Sequence, residues 1–142
     1  NYAVEMRYGV LVDIARKVWN EEPLDVTMGN ANVIWQGDAS AMALQALEHA
    51  ASPPFVVNAA GPEMLSVRRV ARQFGELMGK RPRIEGQESD RALLSNGQLG
   101  HSLFGYPRVS VAEMMRWIAE WIMSDGESLD KPTHFEVSDG RF

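Results

Sequence analysis

"NVIWQGDASAMALQALEHA", residues 32–50, is the stretch on which the fold turns. Its front half, Asn32 to Gln36, is β-branched and aromatic and reads as a strand, preceded by a second strand, Leu24 to Met28, across a Gly29-Asn30 turn. Its back half reads as a helix. Asp38 offers a carboxylate to the free N–H groups of the first turn, and Ala43, Leu44, Leu47, Ala50 and Ala51 form an apolar stripe that Pro53-Pro54 stops. A strand feeding directly into an amphipathic helix is the repeating unit of an α/β chain with parallel pairing.

The same alternation extends in both directions. From Tyr8, the apolar residues Leu11, Val12, Ala15, Val18 and Trp19 recur at steps of three and four, opposite Asp13, Arg16, Lys17 and Asn20, which predicts a half-buried helix ended by Pro23. Downstream, "FVVNAAG" (55–61) predicts a short buried strand leading into a loop. Ser66 is placed to cap a third helix with Val67, Val70, Ala71, Phe74, Leu77 and Met78 inward and Gly79 as its left-handed closing residue. The polar face of that helix carries Arg68, Arg69 and Arg72. A strand at "RIEG" (83–86) is followed by two short helical stretches around "DRALL" and "GQLGHSLF", closed by Gly105 and Pro107. Ser110 and Glu113 then form a capping box for the last helix, with Val111, Met114, Met115, Ile118, Trp121 and Ile122 inward. From Asp125 the periodicity is lost, so residues 1–124 are expected as the folded part and 125–142 as an extended tail on the surface.

Three or four short strands are too few to cover the apolar faces of this many helices. Either helix packs mostly on helix, or the sheet continues in chain outside this sequence. The opening "NYAVEMRYGVLVDIARKVW", which begins without an initiator Met and is soon helical, favours the second expectation.

Composition sets the outer limits. With 142 residues and 45% hydrophobic content, the chain has the material for one domain burying about 68% of its unfolded surface. A net charge of −5 with scattered Lys and Arg argues against nucleic acid and against an anionic membrane surface as partners. No apolar run approaches the roughly 18 residues of a membrane span. The absence of Cys removes disulfides, thiolate metal sites and thiol catalysis, and suits a reducing, cytoplasmic location.

The motifs of self-sufficient chemistry are not found. There is no G-x-G-x-x-G turn and no G-x-x-x-x-G-K-[ST] loop. Four residues beyond Tyr2, Tyr8 and Tyr106 stand Met6, Val12 and Ser110, so no lysine is placed to lower a phenol's pKa. His49, His101 and His134 are far apart and lack metal-site spacing. Ser102 beside His101 is no nucleophile pair, because neighbours on a helix point apart. No catalytic and no metal-binding residue is therefore assigned. Trp117 and Trp121 read as packing residues in preference to a ligand platform, and the Arg68/Arg69/Arg72 group reads as a solvated face in preference to a phosphate site.

Four segments in order resemble the C-terminal portion of the extended short-chain dehydrogenase/reductase family, the NAD-dependent epimerases and dehydratases. They are "NYAVEMRYGVLVDIA", "NVIWQGDASAMALQALEHA", "FVVNAAGPEMLSVRRVARQFGELMGK" and "LFGYPRVSVAEMMRWIAEW", spanning about Asn1 to Met123. The resemblance implies an α/β fold: the C-terminal, substrate-binding part of a Rossmann-like protein, mostly helices with a few short, partly parallel strands, the dinucleotide-binding sheet missing. It implies NAD or NADP in the intact protein, held by an upstream dinucleotide-binding domain that also carries the Tyr-x-x-x-Lys dyad. No cofactor is expected in this part, which would be catalytically inert alone.

The same resemblance implies a small-molecule substrate, a nucleotide sugar or a smaller hydroxyl or carbonyl compound. Asn1 matches a substrate-facing Asn, and the segment after Gly29, with Asn30, Asn32 and Trp35, matches a region lining the cleft. Where the family places a pyrophosphate-gripping Arg this chain has Ala31, with Arg91 as the partial substitute. A homo-oligomer is left open. The competing expectation is a non-catalytic sensor or a protein-interaction module using Trp117 and Trp121. That module requires a closed core, whereas the leading reading requires unpaired strand edges and an apolar face awaiting a partner.

Overall fold

The computed structural model describes residues 2–137. Its elements run in the order β1 (Tyr2–Val4), α1 (Val10–Trp19), β2 (Pro23–Asp25), β3 (Asn30–Ala31), β4 (Val33–Trp35), α2 (Gln36–Gln45) with a 3-10 turn (Ala46–His49), β5 (Leu65–Ser66), α3 (Val67–Met78), β6 (Arg83–Glu85), β7 (Ala92–Leu93), α4 (Gln98–Phe104) and α5 (Val111–Met123).

The helix expected from Tyr8 is α1, and it is more deeply set than a half-buried helix. Val10, Leu11, Val12, Ile14, Ala15 and Val18 are all buried, so only the Asp13, Arg16, Lys17 edge is left for polar contacts. Around it close α3, with Val70, Ala71, Phe74 and Met78, and α5, with Met114, Met115, Ile118 and Ile122. Each such side chain contributes about 1.5–3 kcal/mol on burial, against about 1 kcal/mol for a helix cap. The apolar seam therefore holds the helices together, and the caps set their ends. Ser66 Oγ accepts the Arg69 N–H at 3.3 Å, and Gly79 closes α3 at φ +65°. In α5 the capping box is complete: Glu113 Oε2 accepts the Ser110 N–H at 3.1 Å and Ser110 Oγ accepts the Glu113 N–H at 3.2 Å. Those bonds hold the Glu113 carboxyl below its ordinary pKa.

The strands are short and form three small sheets. β1 pairs with β4 in parallel, Tyr2 opposite Val33 and Val4 opposite Trp35. β2 pairs with β6 in parallel, Leu24 opposite Ile84. β3 lies between β5, antiparallel, and β7, parallel. The expected pair of strands around Gly29-Asn30 therefore does not form a hairpin. Gly29 has no positive φ, as a type I′ turn would require, and Asn30 is itself a strand residue. Within "DRALL", expected as helix, Ala92–Leu93 are instead β7 and pair with β3.

Four further expectations are corrected. Asp38 is not the cap of α2, which begins after Trp35; its Oδ2 accepts the N–H groups of Arg108 and Val109 at 3.1 and 3.0 Å, tying the first turn of α2 to the lead-in of α5. The stripe expected inward on α2 is open: Leu44 and Leu47 are each 70% exposed, and Met42 is the buried residue of the helix. "FVVNAAG" is extended but joins no ladder among the described residues, with Val56 80% exposed. The tail is not merely superficial, since Phe135 is only 2% exposed and belongs to the core of α1, α3 and α5.

That last segment is a strap across α1. The Thr133 N–H and Oγ1 both donate to Asp13 Oδ2 at 2.7 and 2.6 Å, and Lys17 Nζ meets Glu136 Oε1 at 2.5 Å. Phe135 sits between these ties. Phe135→Ala is expected to cost about 3 kcal/mol of stability, measured by chemical denaturation; a loss under about 0.5 kcal/mol would show that the strap is not part of the core.

Candidate functional site

The ladder of β3 with β7 gathers the residues singled out in the sequence. Asn30 stands opposite Ala92, so Arg91 enters the ladder one residue before Asn30's partner. The loop carrying Arg91 is tied from below: the Ser89 N–H and Oγ both donate to Thr27 O, at 3.1 and 2.8 Å, and the Arg91 N–H donates to Ser89 Oγ at 3.2 Å. Across the loop, Arg68 on α3 grips Glu88 with Nε and with Nη2, the latter at 2.9 Å. The Arg68 guanidinium holds the Glu88 carboxyl down at about 2. Of the three arginines on α3, Arg68 is thus committed to an ion pair and is not simply solvated.

Asn32, between β3 and β4, is a clamp. Its Nδ2 donates to Gly61 O at 2.9 Å and Ser95 O at 2.8 Å, and its Oδ1 accepts the Ser95 N–H at 3.0 Å. With three bonds spent on backbone, the amide fixes two loops that wall a cavity of about 470 Å³. Ser95, Gln98, His101 and Tyr106 share that cavity with Asn32. His101 stacks on Tyr106 with centroids 4.7 Å apart, and its Nε2 lies 2.7 Å from Ala60 O. A carbonyl can only accept, so Nε2 carries the proton in this arrangement.

Glycines make this geometry possible. A Cβ on Gly61 would stand 1.8 Å from the Val33 carbonyl oxygen, and one on Gly100 would stand 2.6 Å from Asn58 O. The chain at 58–61 therefore threads between β4 and α4 only because Gly61 of the segment and Gly100 of α4 lack side chains there. The Gly97-x-x-Gly100 spacing, two glycines one turn apart at the start of a helix, was the available signal for this close approach.

The other predicted residues separate. Trp35 turns away from Asn30 and packs edge-on against Trp117 of α5, with centroids 5.4 Å apart. Trp121 donates its indole N–H to Glu127 O at 2.9 Å and lies against Gly126. Both α5 tryptophans thus make packing contacts. Ala31 is 2% exposed and sits opposite Leu65 and Leu93, so nothing polar issues from it. Asn1 lies outside the described residues. Among the described residues no group of three or more His, Asp or Glu could hold a metal. The polar groups gathered here suit binding and orientation of a small polar molecule.

Beside this site lies the open apolar face. Leu44, Leu47, Phe55 and Val56 are exposed there, with His49 bridging Phe55 and Phe104 at centroid distances of 5.9 and 5.6 Å. The 54–58 segment beside it joins no ladder among the described residues. No helix of the described residues is long and apolar enough to cross a membrane.

No protein-family model matches the sequence, and no characterised protein matches it in sequence. Solved structures do match in fold. A UDP-galactose 4-epimerase superposes with TM-score 0.63 at 22% identity, over 87% of this chain and 43% of that one. A dTDP-glucose 4,6-dehydratase from Bacillus anthracis, in complex with NAD, gives TM-score 0.65 at 16% identity over 81% and 39%. A UDP-glucuronic acid 4-epimerase from Bacillus cereus, also with NAD, gives 0.63 at 16% over 80% and 39%. The fold is that of the C-terminal part of an extended short-chain dehydrogenase/reductase, and the chain spans about 40% of the length of the structures it matches.

Two outcomes test the geometry. Gly61→Ala should destabilise the chain by about 3 kcal/mol, since the Val33 carbonyl cannot retreat; an unchanged denaturation midpoint would contradict the threading. By carboxyl NMR, Glu88 should titrate near 2 and return to the ordinary glutamate range in Arg68→Gln. Because its folded pKa is depressed, the ion pair's contribution is full above the ordinary range and is lost as pH falls through about 2.

Proposed function

We propose that this chain is the substrate-covering part of an NAD(P)-dependent epimerase/dehydratase-like oxidoreductase, inert by itself and completed by a dinucleotide-binding domain of the same protein. The observation that carries the reading is the open face. In a chain whose fold is shared with about 40% of each sugar-nucleotide enzyme, Leu44, Leu47, Phe55 and Val56 are exposed, and the 54–58 segment joins no ladder among the described residues. An apolar face beside a segment that joins no ladder is what a neighbouring sheet would cover.

The described residues do not themselves fit a dinucleotide. β1 leads into α1 through the single glycine Gly9, and a Cβ there would lie 3.0 Å from Val4 Cγ2. That turn is filled, with no glycine-rich cradle for a pyrophosphate at the helix start. The hydride chemistry of such enzymes belongs to the cofactor, and no step of it is assigned to residues of this chain.

What the chain's own residues do is bind and orient. Asn30 of β3 and Arg91, one residue before its ladder partner Ala92, are the amide and the guanidinium proposed as contributors, with Asn1 as the third. Asn32 acts behind them by holding the loops at 61 and 95, and Trp35 by fixing β4 against α5. With Ala31 sealed in its ladder, Arg91 is the cation for an anionic group, so the substrate class is a nucleotide sugar held through Arg91 or a smaller hydroxyl or carbonyl compound that needs no second guanidinium. Closing these loops over the substrate would exclude water from the reacting centre.

Calorimetry with NAD+ and NADP+ on this chain and on the longer reading frame that includes the residues before Asn1 tests the proposal. The longer protein should bind one of the two at micromolar concentration, and this chain neither. Tight cofactor binding by this chain, or an upstream region without a dinucleotide fold, would overturn it.

A further inference from the structure

The cavity of about 470 Å³ walled by the Asn32-held loops has a lining unlike the ladder that carries Arg91. Among the described residues that line it there is no Lys and no Arg, and Glu63 is the single carboxylate. Arg91 is not part of it. An anionic group placed there would meet a like charge and no permanent counter-charge, so electrostatics select a ligand whose bound part is uncharged.

Its apolar surface is bare. Met64 and Leu94 line it and are exposed, and Tyr106 is 71% exposed. His101 covers one face of the Tyr106 ring, with centroids 4.7 Å and planes 26° apart, and so large an exposure requires the other face to be open. A stack that ends on an open phenol face suits one more flat ring. Met64 adds a polarizable thioether, which favours aromatic partners.

The walls are already tied. Beside the three bonds of Asn32, Asn58 Nδ2 donates to Asn96 O at 3.1 Å, and the Gln98 N–H donates to Asn96 Oδ1 at 2.9 Å. Ser95 and Gln98 enter these ties through backbone groups, which leaves the Ser95 hydroxyl and the Gln98 amide for polar groups on the edge of a ligand. Fixed walls, bare apolar surface and a few polar side chains are the marks of a small-molecule site, and the volume lies in the usual range of about 300–1,000 Å³.

We propose that this cavity binds an uncharged flat ring bearing hydroxyl or amide groups, stacked on Tyr106, with Ser95 and Gln98 at its edge and Glu63 turning anionic rings away. The inference goes beyond the oxidoreductase reading, because it stands on this lining whether or not a dinucleotide-binding domain completes the chain.

The test is NMR titration of this chain at low ionic strength with three probes of similar size. Resorcinol is flat and neutral, cyclohexane-1,3-diol is puckered and neutral, and 3-hydroxybenzoate is flat and anionic. The amides of residues 95–98, the Met64 methyl and the Tyr106 ring protons are followed. Resorcinol is expected to give saturable shifts at these groups with a Kd of about 1 mM. The puckered diol should bind about five- to tenfold more weakly for want of a ring to stack. The anion should also bind more weakly than resorcinol, and Glu63→Gln should narrow that gap. Tyr106→Phe should keep the preference for resorcinol over the diol and Tyr106→Leu should abolish it. Absence of saturable shifts with resorcinol, equal or tighter binding of the diol or of 3-hydroxybenzoate, or a preference that survives Tyr106→Leu would overturn the proposal. The three probes on the unaltered chain decide it even where a Tyr106 variant does not fold, and none of the outcomes depends on NAD+ or NADP+ binding.

Discussion

Everything in this fold hangs on the burial of α1. Six of its ten residues are buried, so it needs apolar cover on most of its circumference, and α3, α5 and Phe135 of the strap supply it. That requirement explains why the strands can be so short. β1, β2 and β3 do not build a layer; they are splices that fix where the loops between helices run, and the free energy of folding comes from the helix seam.

The seam closes only one side of the molecule. On the other side α2 lies almost bare, because α1, α3 and α5 have already satisfied one another and nothing among the described residues reaches Leu44 or Leu47. A helix that leaves large apolar side chains such as Leu44 bare in water is an unfinished interface. The neighbouring 54–58 segment joins no ladder among the described residues. Both features lie next to the cavity held by Asn32, so whatever covers them also walls the candidate site.

How much of this was legible depends on how local the cause is. Helix ends were readable because a cap is settled within four residues: Ser66, Gly79 and the Ser110–Glu113 box stand where the sequence puts them. Strand partners were not, because two- or three-residue strands carry almost no register information; β2 finds β6 about sixty positions away, and Asn30 looks like a turn until β5 and β7 flank it. Periodicity named an apolar stripe on α2, but apolar and polar residues are spread around that helix, with Met42 its buried residue and Leu44 exposed. Phe135 was missed since one apolar anchor in an aperiodic stretch has no period. Asn30 and Arg91 were named as candidates through resemblance, whereas the Arg68–Glu88 tie and the Asn32 clamp depend on loops that only the folded chain brings together.

The central claim is that a sheet outside these residues pairs with the 54–58 backbone and covers Leu44 and Leu47. Amide hydrogen exchange compares most directly this chain with the longer protein that contains it. The account predicts fast exchange at 54–58 in this chain and slowing by at least a hundredfold in the longer protein, with α1 equally protected in both. Exchange at 54–58 that stays fast in the longer protein would contradict it, and the open face would then need another explanation.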